Sequence, residues 1–76
     1  MTGHEYAAKL LSEGLDRIPE VSRYLKLSRS QIYVLMDTGI LPYVRIGRSR
    51  RVPHRAVVEL AAKNLVVGSA DAKLGG

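Results

Sequence analysis

Two amphipathic segments separated only by Lys26, Leu27 and Ser28 constrain this chain more than any other feature. In the first, Ile18, Val21, Tyr24 and Leu25 recur at helical spacing with Glu20, Ser22 and Arg23 opposite. Pro19 suits its first turn, where a fixed φ and a missing N–H cost nothing. In the second, Ser28 is a good N-cap, its hydroxyl placed to accept from the Ser30 or Gln31 amide. Ile32, Leu35 and Met36 follow as a one-sided apolar stripe, and Gly39 is a suitable left-handed stop. So short a link leaves no room for an excursion. The two helices must meet across a sharp turn, which is helix-turn-helix geometry.

After Pro42 the alternation changes from helical to period two. Val44 and Ile46 point one way and Arg45 the other, and Val52 resumes an apolar face after the Gly47-Arg48-Ser49 turn. A β-hairpin is expected, with a three-residue loop that sets Val44 against Val52 and Arg45 against Arg51. Pro53 opens a last helix with Ala56, Val57, Leu60 and Ala61 inward. At the other end Tyr6, Ala7, Leu10 and Leu11 predict a short amphipathic helix, interrupted at Gly14. Three regions result: an N-terminal helix and linker over 1–17, a core domain over 18–65, and a flexible tail over 66–76 ending in Gly75-Gly76. The expected fold class is mainly α with a small β-hairpin.

At 76 residues and 8.4 kDa one small domain is expected. With 46% hydrophobic residues but only four tyrosines as aromatics, its core must be aliphatic. The chain has no cysteine, which fits a reducing cytoplasm, and His4 and His54 lack ligand spacing and read as surface residues. Neither a metal nor a cofactor is expected. No apolar run approaches the roughly 18 residues of a membrane span, and the N-terminus lacks the order of a signal peptide, so a cytoplasmic protein is expected. No phosphate loop, paired carboxylates or activated nucleophile appears, which argues against an enzyme.

The charge is localised. Of 12 basic residues against 7 acidic, Arg45, Arg48, Arg50, Arg51 and Arg55 fall between Asp37 and Glu59 with no carboxylate among them, and without these five the chain is balanced. This is the footprint of a polyanion-binding surface. In a helix-turn-helix the second helix lays its N-terminal half in the major groove, exposing Arg29, Ser30, Tyr33 and Val34. Arg29 suits a guanine or a phosphate, Gln31 an adenine, and the Ser28 and Ser30 hydroxyls phosphate oxygens. Asp37 would repel a phosphate and is expected beyond the groove. An Arg45–Arg51 pair would be a like-charge strain relieved by an anion. The tip arginines Arg48 and Arg50, with Ser49 between them, suit a narrow minor groove.

Three stretches in succession, Leu27-Ser28-Arg29-Ser30-Gln31-Ile32-Tyr33, Gly39-Ile40-Leu41-Pro42 and Val44 to Pro53, resemble the excisionase-type, MerR-like winged-helix domains. The resemblance runs from about Ile18 to Leu65 and implies a winged helix-turn-helix with Ser28 to Thr38 as recognition helix and the hairpin as wing. It implies base and phosphate contacts at Arg29, Ser30, Gln31 and Tyr33, and wing contacts at Arg45, Arg48, Arg50 and Arg51. Members include phage excisionases, or recombination directionality factors, which bend attachment-site DNA and turn an integrase toward excision; others are small transcriptional regulators. Two residues depart from the pattern: Arg17 stands where a Thr or Ser cap is common, and Lys26 where a glycine is frequent. The implied partners are double-stranded DNA, an integrase, and neighbouring copies aligned head to tail on DNA. A single module buries only about 600–1,000 Å² on DNA, which motivates such help. The competing readings are a MerR-like transcriptional regulator using the same surface and an adaptor whose basic wing docks on an acidic protein.

Overall fold

Four helices surround a small antiparallel sheet in the computed structural model, which describes residues 3–67. In chain order they are α1 (Gly3–Leu11), β1 (Leu15–Asp16), α2 (Ile18–Leu25), α3 (Arg29–Asp37), β2 (Val44–Ile46), β3 (Ser49–Pro53) and α4 (His54–Lys63). This is a winged helix-turn-helix with one added helix in front. Ile18 and Val21 of α2, Ile32 and Met36 of α3, Leu41, Val52 of β3, and Ala56 and Val57 of α4 form one aliphatic core, all but Leu41 drawn from the apolar faces expected. Tyr24, expected inward, is half exposed and meets His54 edge to face, while Ala61 lies on the solvent side.

The turn between α2 and α3 is built by hydrogen bonds rather than by glycine. Lys26 takes the left-handed conformation (φ 59°), and the Leu27 amide donates 3.2 Å to the Ser22 carbonyl while the Ser22 hydroxyl donates to Leu27 O. Ser22, read as outward-facing, thus staples the turn. At the end of α3 the Gly39 amide donates to Met36 O and the Ile40 amide to Leu35 O, a complete Schellman stop with Gly39 at φ 82°. That stop aims Leu41 into the core, where it is fully buried, and launches the wing.

The wing's register differs from the expected one. Val44 pairs with Arg51, Arg45 with Arg50 and Ile46 with Ser49, so the loop is the two residues Gly47 and Arg48, and Arg45 does not face Arg51. Gly47 is left-handed (φ 62°) and Arg48 is not, the pattern of a type II′ turn, whose twist matches that of the strands. A three-residue loop would instead want a left-handed residue at its last position, where Ser49 stands. Cross-strand partners share a face, so Val52 lies on the same side of β3 as Arg50, toward the helices, and not beside Val44. The left-handed Gly47 at the first turn position decides the register.

The sheet also has a third strand, in the region read as a linker. β1 pairs with β3, Leu15 opposite Pro53 and Asp16 opposite Val52, giving the order β1-β3-β2. Two residues are too few for an alternation to show. α1 lies against α4 with Leu10 on the core and no residue buried. Of the tail expected over 66–76, Val66 and Val67 are exposed and residues 68–76 lie outside the described residues.

Candidate nucleic-acid interface

The α3 N-terminus is held in a reciprocal cap. The Gln31 amide donates 3.2 Å to the Ser28 hydroxyl, and the Ser28 amide donates 2.9 Å to Gln31 Oε1. Two amides that would otherwise lack partners are satisfied, which fixes the first turn of the helix. Gln31 is therefore engaged by the fold through its side-chain oxygen. At α2 only half of such a cap forms, because an arginine side chain has no acceptor: the Arg17 amide donates 2.6 Å to Glu20 Oε1.

Between α3 and the wing runs an open cleft of about 660 Å³. Arg17 lines it from the start of α2, Arg29 and Tyr33 from α3, and Arg45, Arg48, Ser49, Arg50 and Arg51 from the wing. Six arginines from three elements converge there, and no carboxylate lines it. Of the residues singled out in the sequence, Arg29, Tyr33 and the five wing residues thus come together, while Ser28, Ser30 and Gln31 lie exposed on the adjoining turn outside the cleft. Val34 is 58% exposed on α3.

The arginines differ in what holds them. Among the described residues Arg17, Arg29, Arg45 and Arg48 have no ion-pair partner within 4.0 Å, and Arg51 donates 3.0 Å to its neighbour's carbonyl, Arg50 O. Arg50 Nη1 lies 2.9 Å from Asp37 Oδ1, with its guanidinium 5.2 Å from the Tyr33 ring centre and 4.7 Å from that of Tyr43. The hydrogen bond to Asp37 is the main cause of an upward shift in the Arg50 pKa. Compensating carboxylates therefore exist for part of the cluster, contrary to the sequence reading. Asp37 takes Arg50, while Arg55 turns away on α4 to Glu59 at 3.1 Å and Glu13 at 3.7 Å. Four or five cations remain open to a ligand.

Two residues of this region escaped the sequence reading. Arg17 looked only like a poor cap, yet a cation at a helix N-terminus opposes the dipole, and that mismatch is the signal. Tyr43 carried no signal, since one aromatic beside a proline has no periodicity. His54 is more than a surface residue: its Nδ1 lies 2.8 Å from Asp16 Oδ2, and this hydrogen bond, chiefly, raises its pKa above the ordinary 6.5. Among the described residues no cluster of His, Asp or Glu is placed to hold a metal, and no helix is long and apolar enough to cross a membrane.

Residues 17–65 match the model of a helix-turn-helix domain family, covering the capped helices and the wing. Among curated proteins the chain is 36% identical over 64 residues to a protein of Saccharopolyspora erythraea named "Probable excisionase", covering 84% of this chain and 65% of that protein. It is 40% identical over 43 residues to a protein named "Putative DNA-binding protein" in two strains of Mycobacterium tuberculosis, over 57% of this chain and 55% of theirs. The chain thus spans just over half to about two thirds of the length of these relatives. No solved structure matches it. With two helices joined by a sharp turn, the second held in a reciprocal cap, and a type II′ wing inside the matched residues, the chain belongs to the excisionase-type helix-turn-helix domain family.

Proposed function

We propose that this chain binds double-stranded DNA, with α3 in the major groove and the β2-β3 wing in the adjacent minor groove, and acts as an excisionase. In this reading it bends attachment-site DNA, binds it cooperatively beside further copies of itself, and directs an integrase toward excision in a bacterial host. The observation that carries the reading is the cleft between helix and wing, lined by arginines and by no carboxylate. Like charges gathered on one open surface repel one another, and a polyanion laid across them relieves that repulsion and releases its own counterions. The relative named "Probable excisionase" supports the step from DNA binding to recombination.

Arg29, at the first turn of α3, is placed to read a base or grip a phosphate, and the exposed Ser28 and Ser30 hydroxyls to meet the flanking backbone. Tyr33, 42% exposed, can present its hydroxyl to a phosphate while its ring stays packed. Arg45, Arg48 and Arg51, with Ser49 at the tip, form the wing's phosphate contacts, and Arg17 adds one from α2. About five such contacts predict that the affinity falls with salt on a log-log slope near −4.5.

A gel-shift experiment with an attachment-site fragment permuted around the binding site tests both halves. A sharply position-dependent mobility, with copies loading cooperatively, is the expected outcome, followed by stimulated excision when the cognate integrase is added. An unbent complex would favour a transcriptional regulator using the same surface. A salt-insensitive response, or no DNA binding, would favour an adaptor for an acidic protein.

A further inference from the structure

We propose that Arg50 is a positioning residue, a latch that fixes the wing's angle to the recognition helix, and that it does not itself contact phosphate. A strand pair as short as β2 and β3 is barely stable alone and must be held by its surroundings. β1 holds it along one edge. Toward α3 the tie is Arg50, whose guanidinium meets the Asp37 carboxylate at 2.9 Å and lies near the rings of Tyr33 and Tyr43. A single side chain of the wing is thereby bound to the last turn of α3, to its exposed face, and to the segment that leads into β2.

Two further observations agree. Arg45 stands directly opposite Arg50 on the same face, a like-charge pair that is destabilising unless one member is neutralised elsewhere. The geometry divides the labour: Arg50 turns inward with its side chain 22% exposed, and Arg45 is left exposed toward the cleft. Asp37 is also out of place on a recognition helix, where a carboxylate repels DNA. Holding Arg50 gives that residue a role. The latch makes helix and wing one rigid reader whose spacing is set before the duplex arrives, so less ordering is needed on binding.

The consequences for affinity rest on the DNA-binding reading above, so the test has an arm that does not. In the free protein, amide NMR spectra of Asp37→Asn are expected to show shifts that spread through the wing from Val44 to Arg51; shifts confined to α3 would overturn the latch. With a short mixed-sequence duplex as probe, Asp37→Asn is expected to weaken binding about threefold with the salt slope unchanged, because an exposed pair of this kind contributes up to roughly that much. Tighter binding would show that the Asp37 carboxylate's own repulsion of DNA outweighs any latch, and would overturn the latch as a determinant of affinity; whether Arg50 grips a phosphate is decided by the salt slope of its own variant. Arg50→Gln, which loses the ring contacts as well, is expected to weaken binding roughly tenfold at constant slope. A fall in slope of about 0.9, the behaviour expected of the contact residue in Arg48→Gln, would overturn the proposal. Failure of the wild-type chain to bind any duplex would instead sink the DNA reading, leaving the NMR arm to decide the latch.

Discussion

Arg48 and Arg55 come from the same carboxylate-free stretch of sequence, yet they end in opposite environments. Arg48 reaches the helix-wing cleft, where no carboxylate lines the wall. Arg55 sits on α4 between Glu59 and Glu13, two acids brought back by a helical turn and by the approach of the segment before β1. Counting charge along the sequence makes them equivalent. Their partners in space separate a ligand surface from a structural flank, and the excess facing a ligand is smaller and better defined than the sequence implies.

The sharpest way to break this contrast is to remove one cation from each side. Arg29→Ala on the cleft side is expected to cost about 1–3 kcal/mol of duplex affinity and to relax sequence preference if the residue reads a base. Gel shifts on matched and mismatched sites would measure both. Arg48→Ala is expected to lower the salt slope by about 1 while leaving the melting temperature close to that of the parent. Arg55→Ala is expected to do the reverse, with affinity and slope unchanged and a loss of a few tenths of a kcal/mol in a denaturant titration, since its pairs are about half exposed. Equal effects on DNA from Arg48 and Arg55 would dissolve the distinction.

How far the sequence was legible follows the same line between local and spatial information. Helix stripes, the Ser28 cap and the Gly39 stop are set by residues three or four apart, and apart from Tyr24 and Ala61 at the edges of their stripes they stand where their spacing put them. The wing's register depends on whether Gly47 or Ser49 occupies the left-handed position, and a Gly at the first turn position points to a two-residue loop, a rule that apolar alternation overrode. β1, the Arg50 latch and the His54–Asp16 bond join residues far apart in sequence. No periodicity encodes such pairs. Arg29 and Tyr33 are legible from their place opposite the apolar stripe of α3, and the wing arginines from the clustering of charge in sequence; Arg17 is legible from neither, because it reaches the cleft only after α2 folds back beside α3.

Lys26 sharpens the contrast from outside both regions, as an exposed cation whose cost is in the backbone. A non-glycine residue in the left-handed region costs roughly 1–2 kcal/mol, whereas glycine costs about 0.5–1 kcal/mol in lost chain entropy. Backbone strain outweighs that entropy. Lys26→Gly is therefore expected to stabilise the fold by about 0.5–1 kcal/mol, raising the melting temperature by a few degrees for a domain of this size. Lying away from the cleft, it should leave the DNA salt slope alone; a lower melting temperature would mean that the lysine makes contacts worth more than its strain.

On the structural flank the smallest expected effect is a pH dependence. His54 opens α4, with its amide donating 2.9 Å to Gly14 O and its ring tied to Asp16 and set edge-on to Tyr24. Its imidazole faces Asp16, with Glu13 adding a weaker attraction, and both favour the protonated form. Because the folded pKa lies above 6.5, the ring's contribution to stability is complete below about pH 6.5 and is lost as the pH climbs through the raised value. Thermal melts from slightly acid to mildly alkaline pH are expected to show a modest decline for the parent chain. A flatter curve is expected for His54→Gln, starting lower at the acid end, and for Asp16→Asn. The contrast predicts that affinity for a duplex, measured well below the melting range, follows the open arginines and does not track this titration. An imidazole titrating below 6.5 by NMR, or a parent curve as flat as that of His54→Gln, would show that the Asp16 contact does not anchor α4 to β1.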